Sequence, residues 1–402
     1  MKHKNFLHFT LAIYALGCGL SQSLMSLAGA LAVGLFVYGT WRTLRDRKAH
    51  IFPQTALVSL FAGTGFVLLS LVHLFWVQDS KVAFTALKDI PLFLIPLIPL
   101  LPALSSDFQE RDLVWPLRLL CVAYLISCLF GIWQVGLGGE RVAYGFMKSP
   151  IYFAYNLLAA LSFFMFWAWD ENRRTRSQLL PSRKVTALIG LSTLILCAQA
   201  LSASRAATAV GILTWTFFLL LICWDRRRIW IFVVSMISLG GLGLTAFRIH
   251  YPLQKKIRTA LKGGIVNDSS WATRANIWEY NLEIFRDHPI WGVGYKQNYI
   301  DTGKTDKFPN TFPPGHHIYA HSIYFQSLAE AGLVGSLLHL SSYAALGLAL
   351  PATIPVLATT AIGGATENIF HNSRAFHAML FFLMLAGFYD RARKNRTRAA
   401  KA

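Results

Sequence analysis

Apolar stretches of about 17–25 residues recur along this chain, and each is long enough to cross a bilayer. They leave few ways to fold. In hydrocarbon every backbone N–H and C=O must be paired inside the protein, so each such run reads as a transmembrane helix. Twelve spans are expected, near 6–22, 24–41, 52–77, 89–104, 114–137, 151–168, 185–202, 206–224, 230–247, 330–348, 351–369 and 373–390, with both chain ends on one side. Composition agrees: only 14% of residues are charged, where soluble domains carry about a quarter. The first run follows Lys2 and Lys4, as in a signal peptide, but a second apolar stretch begins at Leu24. It is therefore read as a retained span.

The five cysteines, Cys18, Cys121, Cys128, Cys197 and Cys223, all fall inside these spans. None has disulfide-framework or zinc-ligand spacing, so they read as small packing residues.

Lysine and arginine give the orientation. Most of the 38 collect in short connections on one side and in the tail after 390, which marks the cytoplasmic face. These are topology anchors rather than a nucleic-acid surface. The remainder are informative because the positive-inside rule predicts few of them. Ten lie in one polar excursion, 248–320, and Lys81, Lys88, Arg141, Lys148, Arg205 and Arg374 sit at outer ends of spans. A basic outer face points to an anionic ligand such as a phosphate or pyrophosphate on a lipid. Binding of anionic headgroups without chemistry is the plainer alternative. The chain thus divides into spans 1–247, the outer loop 248–320, and the last spans with a basic tail, 321–402. Between 341 and 360 there is no charge, only Pro351 and Pro355. Two short spans, a re-entrant pair or one kinked helix would each fit.

Within the excursion, 271–288 reads as an amphipathic helix with Trp278, Leu282 and Phe285 at helical spacing, stopped by Pro289. Arg274 lies one turn before Trp278. A guanidinium there is placed to bind phosphate oxygens bidentately, or else to snorkel from an interfacial helix. Gly292 and Gly294 follow the helix stop and demand a tight backbone course. Segment 302–317 reads as an irregular flap. His321 then opens a helix running through Gln326 and Glu330 to Gly332 and Gly335. A neutral imidazole at this junction has the pKa range to take a proton from a sugar hydroxyl. A metal site of His316, His317 and His321 is disfavoured, because no carboxylate falls at ligand spacing. Arg205, at the break between two spans, is a boundary charge and hence a functional candidate. Arg141 with Tyr144, and Glu367 with Arg374, are weaker candidates of the same kind.

Four segments together resemble the bacterial O-antigen ligase and O-antigen polymerase superfamily: SASR (202–205), RANIW (274–278), HPIWGVG (288–294) and HSIYFQSLAEAGLVG (321–335). The resemblance covers about 190–340. It implies an all-α polytopic membrane protein, a glycosyltransferase of the GT-C type with one large periplasmic loop containing amphipathic helices. Such an enzyme sits in the bacterial inner membrane with its active site facing the periplasm. It takes a glycan from undecaprenyl diphosphate and passes it to a sugar hydroxyl of lipid A-core, without metal or cofactor and with inversion. Membrane lipids are further partners; nucleic acid is not. Carried over by position, Arg205 and Arg274 hold the diphosphate and His321 is the base on the acceptor. Trp278, Arg141, Tyr144, Gln326 and Glu330 complete the expected substrate-binding set. A polymerase extending the glycan on its carrier is the alternative within the superfamily. From another class, a transporter is disfavoured because no internal repeat is visible.

Overall fold

The computed structural model describes residues 2–45, 54–76, 101–102, 108–147, 149–175, 182–225, 229, 232–233, 235–237, 240–241, 269–295, 297, 320–367 and 373–399. Every regular element among them is helical. In chain order the α-helices are α1 (Lys2–Leu20), α2 (Gln22–Arg45), α3 (Gln54–His73), α4 (Glu110–Gly136), α5 (Pro150–Arg174) and α6 (Arg183–Leu201). They continue with α7 (Arg205–Asp225), α8 (Ser269–Asp287), α9 (Ile323–Ala349), α10 (Ile354–Gly364) and α11 (Ser373–Ala399). Among the described residues seven helices are long and apolar enough to cross a membrane: α2 to α7 and α9. The expected spans at 89–104 and 230–247 fall mostly outside the described residues, and 248–268 and the flap at 302–317 wholly so.

Helix α5 is the axis of the bundle. Apolar all round, it can only be stable when surrounded, and eighteen of its residues are buried. Helix α11 is its partner, with 375–390 buried throughout. Phe163, Phe164 and Phe382 pack ring to ring between them. Without a hydrophobic drive between helices in lipid, close packing and a few polar pairs hold such a bundle. Asn156 Nδ2 donates to the Cys18 carbonyl at 2.8 Å and its Oδ1 accepts from Tyr124, tying α1, α4 and α5. Ser59 and Ser342 each donate to the other's carbonyl across α3 and α9. The cysteines are free and at least half-buried, as expected of packing residues.

The two ends of α5 define the two ends of the molecule. At its C-terminal end Asp170 accepts from Tyr389 at 2.7 Å, Arg393 at 2.9 Å and Arg174 at 3.1 Å. Glu110 pairs with Arg174 and Arg396. Several arginines that the sequence offered only as topology anchors are thus also ties among α4, α5 and α11. Tyr155, near the other end, lies about 28 Å away along the helix, close to the hydrocarbon thickness.

Two departures from the twelve-span reading have clear causes. Helix α9 breaks at Gly332, whose φ of 61° and ψ of −164° lie outside the helical region. The expected span near 330–348 is therefore only its second segment. The eleventh span, expected at 351–369, is instead a 3-10 turn, Pro351–Thr353, followed by the 11-residue α10. At about 16 Å this helix is too short to cross a core of about 30 Å. Ala352 and Thr353 of its turn are buried while Pro351 is exposed, and Leu350 lies against Gly387, about 21 Å along α11 from Ser373.

Candidate active site

Helix α8 starts at Ser269 and ends at Asp287, just before Pro289. Its most buried line is Ile277 and Asn281, flanked by a half-buried Trp278. The indole Nε1 of Trp278 donates to the Ala320 carbonyl at 2.7 Å, and the ring stacks on Phe325 at 5.0 Å. Trp278 therefore clamps both sides of His321. One turn earlier, Arg274 Nη1 donates to the Thr366 carbonyl at 2.8 Å, and Nη2 lies 3.8 Å from Glu367 Oε2.

Segment 288–294 fits into the break in α9. A helix interrupted at Gly332 leaves carbonyls and N–H groups without helical partners. Val293 N and Gly294 N donate to the carbonyls of Ala329 and Glu330, while Leu333 N and Val334 N donate to those of Pro289 and Ile290. Four groups that would otherwise be orphaned are satisfied. The approach requires glycine on both sides. Gly292 has φ 72°, and a Cβ on it would stand 2.5 Å from Gly332 N. Gly292→Ala is expected to destabilise the protein by about 2–4 kcal/mol through the clash, the left-handed backbone and unseated hydrogen bonds. Thermal unfolding in detergent measures this; an unchanged midpoint would mean that the segment does not lock the break.

His321 is held in the left-handed region, with φ 48°. That conformation costs a non-glycine residue about 1–2 kcal/mol and points to a functional constraint on the imidazole. Its Nδ1 lies 3.4 Å from Glu367 Oε1. Glu367 is 15% exposed, whereas the imidazole is 38% exposed and open to a ligand. One carboxylate thus faces both the guanidinium of α8 and the imidazole at the head of α9. Tyr155, with its hydroxyl 3.2 Å from the Gly363 carbonyl, supports the chain beneath Thr366 and Glu367.

Gln326 and Glu330 are buried at 2% and 5% exposure. Gln326 Oε1 accepts from Ala320 N at 2.7 Å, and its Nε2 donates to Glu330 Oε1 at 2.6 Å. They brace the backbone before His321 from within. Arg205 is exposed at the first residue of α7, after a turn in which Ala203 has φ 57°. Ala207, two residues on, packs with Tyr155, Ile323 and Ala375. The start of α7 therefore abuts the same end of α5 and α9 as the cluster. Arg141 and Tyr144 lie on a loop joined to this region by Ala143 N donating to the Leu201 carbonyl at 3.0 Å. Gln134 holds that loop through Tyr144 N, Gly145 N and the Gly145 carbonyl. The Tyr144 hydroxyl donates to Glu140 at 3.0 Å, a bond that raises the phenol pKa above its ordinary value.

Sequence spacing missed how central Glu367 is. Its one signal was position, as the first charged residue after a long uncharged run. The side chain of its companion Arg374 lies outside the described residues, as do His316 and His317. Among the described residues, no group of three His, Cys, Asp or Glu side chains comes together to hold a metal.

An apolar groove of about 360 Å³ adjoins the cluster, between α9 and α10. It starts at Ile323 and Tyr324 and runs past Tyr343 and Leu357 to Leu348.

These features define an all-helical, multi-pass membrane protein whose one end gathers an arginine, a histidine and a glutamate from separate elements. Residues 190–340 match the family model described as O-antigen ligase. The match bears out the resemblance over that segment, which is less than half of the chain. A comparison with curated proteins finds no match.

Proposed function

We infer that the protein is an O-antigen ligase of the GT-C type. It transfers a glycan from undecaprenyl diphosphate to a sugar hydroxyl of lipid A-core at the periplasmic face of the inner membrane, without metal and with inversion. The observation that carries this reading is the meeting of Arg274, Glu367 and His321 at the end of the molecule away from the basic tail. Glu367 accepts a hydrogen bond from the Nδ1–H of neutral His321, which leaves Nε2 free to take the proton of the acceptor hydroxyl. The hydroxyl oxygen then attacks the anomeric carbon, and the bond to the diphosphate oxygen breaks. Negative charge grows on the departing diphosphate, where Arg274 and, from the start of α7, Arg205 stabilise it. Arg274 donates one N–H to the Thr366 carbonyl, faces Glu367 as an ion pair at 3.8 Å, and keeps its other N–H groups for phosphate oxygens. The groove starting at Ile323 and Tyr324 gives the carrier's isoprenoid chain a place beside the reacting headgroup.

Trp278, Gln326 and Glu330 act in this scheme as positioning residues that fix the backbone on either side of His321. Arg141 and Tyr144 face the same end and are assigned to the glycan. Glu367→Gln is expected to lower kcat by about tenfold or more, a share of the 10²–10⁴ that a positioned base supplies. Single-turnover transfer assays read this, and an unaltered rate would remove Glu367 from the mechanism.

The deciding experiment incubates purified protein with undecaprenyl diphosphate-linked glycan and lipid A-core, followed by gel analysis. A ladder on lipid A-core supports the ligase. Growth on the carrier alone would make it a polymerase with the same arginines and a different acceptor, and no transfer at all would overturn the enzymatic reading.

A further inference from the structure

The geometry points to a second ligand site at the opposite, basic end: a groove along α4 that takes one anionic phospholipid from the leaflet at that end. It does not depend on the enzymatic reading above.

The cavity encloses about 740 Å³ between α4, α5, α6 and α11, within the range of about 300–1,000 Å³ usual for small-molecule sites. Its α4 wall is a single helical face, stepping from Glu110 through Leu113, Leu117 and Cys121 to Val122. The twelve helical steps from Glu110 to Val122 span about 18 Å. One leaflet of a core about 30 Å thick, with part of its headgroup layer, has the same depth. The two ends of the groove differ in chemistry as a lipid's two ends do. Its far end is Cys121, Val122 and the side of Trp167, and its other end, the mouth, carries Arg111, Arg174 and Lys184 with Glu110 and Glu171, while Arg118, rooted beside Leu117, reaches back over Trp115.

The charges at the mouth are not balanced. Arg174 is committed to Glu110 at 2.6 Å and Asp170 at 3.1 Å, and Lys184 to Glu171 at 2.9 Å while lying over the Trp167 ring. Arg111 and Arg118 are exposed and reach no carboxylate among the described residues. Arg118 instead lies over Trp115, 5.6 Å from the ring centroid. Two uncommitted guanidinium groups over an apolar slot of leaflet depth fit a phosphodiester headgroup with its acyl chain inside. Basic pockets between membrane helices on the positive side take anionic lipids for this reason.

The test titrates the full-length protein, purified in detergent, with short-chain phosphatidylglycerol, phosphatidylcholine or inorganic phosphate, and reads bound lipid by native mass spectrometry. Phosphatidylglycerol is expected to bind preferentially and to raise the unfolding midpoint. Arg111→Gln with Arg118→Gln is expected to weaken it roughly 30-fold, the loss of two basic contacts, with unliganded stability and glycan transfer unchanged. Equal binding of phosphatidylcholine would reduce the site to an apolar slot and overturn the proposal. So would unaltered phosphatidylglycerol binding in the double variant, or inorganic phosphate matching the lipid in the unfolding shift. A lipid-free particle of doubled mass would assign the groove to a second copy instead.

Discussion

His321→Ala is expected to abolish glycan transfer, lowering the rate by about 10²–10⁴-fold while the protein remains folded in the membrane. The size follows from the imidazole's position. It is the exposed member of the cluster, oriented from behind by Glu367 at 3.4 Å and fixed in sequence by the Trp278 bond to Ala320. Folding has little reason to depend on it, since the side chain is 38% exposed and alanine keeps the same Cβ in the left-handed backbone. The measurement is transfer by the purified variant beside wild type, with unfolding midpoints matched. Transfer at a near-normal rate would show that the acceptor proton goes elsewhere.

Arg274→Lys is the second large effect, an expected fall in kcat of about 10²–10³-fold. The substitution keeps the charge and removes the fork. An ammonium cannot hold the Thr366 carbonyl, face Glu367 and present two parallel donors to a diphosphate at the same time. The shorter reach also leaves Glu367 without its second partner, so the imidazole loses orientation as well. Steady-state kinetics separate the roles. A drop confined to kcat marks an interaction made in the transition state, and a rise confined to KM marks uniform binding. Normal turnover by the lysine variant would reduce Arg274 to an interfacial anchor.

Much of the fold was legible in the chain because the membrane removes alternatives. Apolar runs had to be helices, and Pro289 marks the stop of α8 close to where the structure has it. The order SASR, RANIW, HPIWGVG and HSIYF pointed to one end of the molecule before any coordinates. The length of α10 was not legible: apolar composition says that a segment is buried, and burial in lipid looks the same as burial in protein. The break at Gly332 was hidden for a related reason. A glycine in an apolar helix is common, and only the carbonyls and N–H groups offered by residues 288–294 make the interruption stable. Glu367 lies 46 residues from His321 and 93 from Arg274, so no spacing rule joins them. Tertiary structure does so, through Tyr155, the Gly363 carbonyl and the fastening of Tyr324 to the Ala361 carbonyl.

The short helix α10 has an evolutionary consequence. It carries Glu367 forward from a turn whose Ala352 and Thr353 are buried. The facing wall, α8, holds Arg274 and Trp278. In the proposed scheme a lineage recasting that region for a different sugar has to keep those two side chains in place, so variation is steered to the parts of the loop that hold neither.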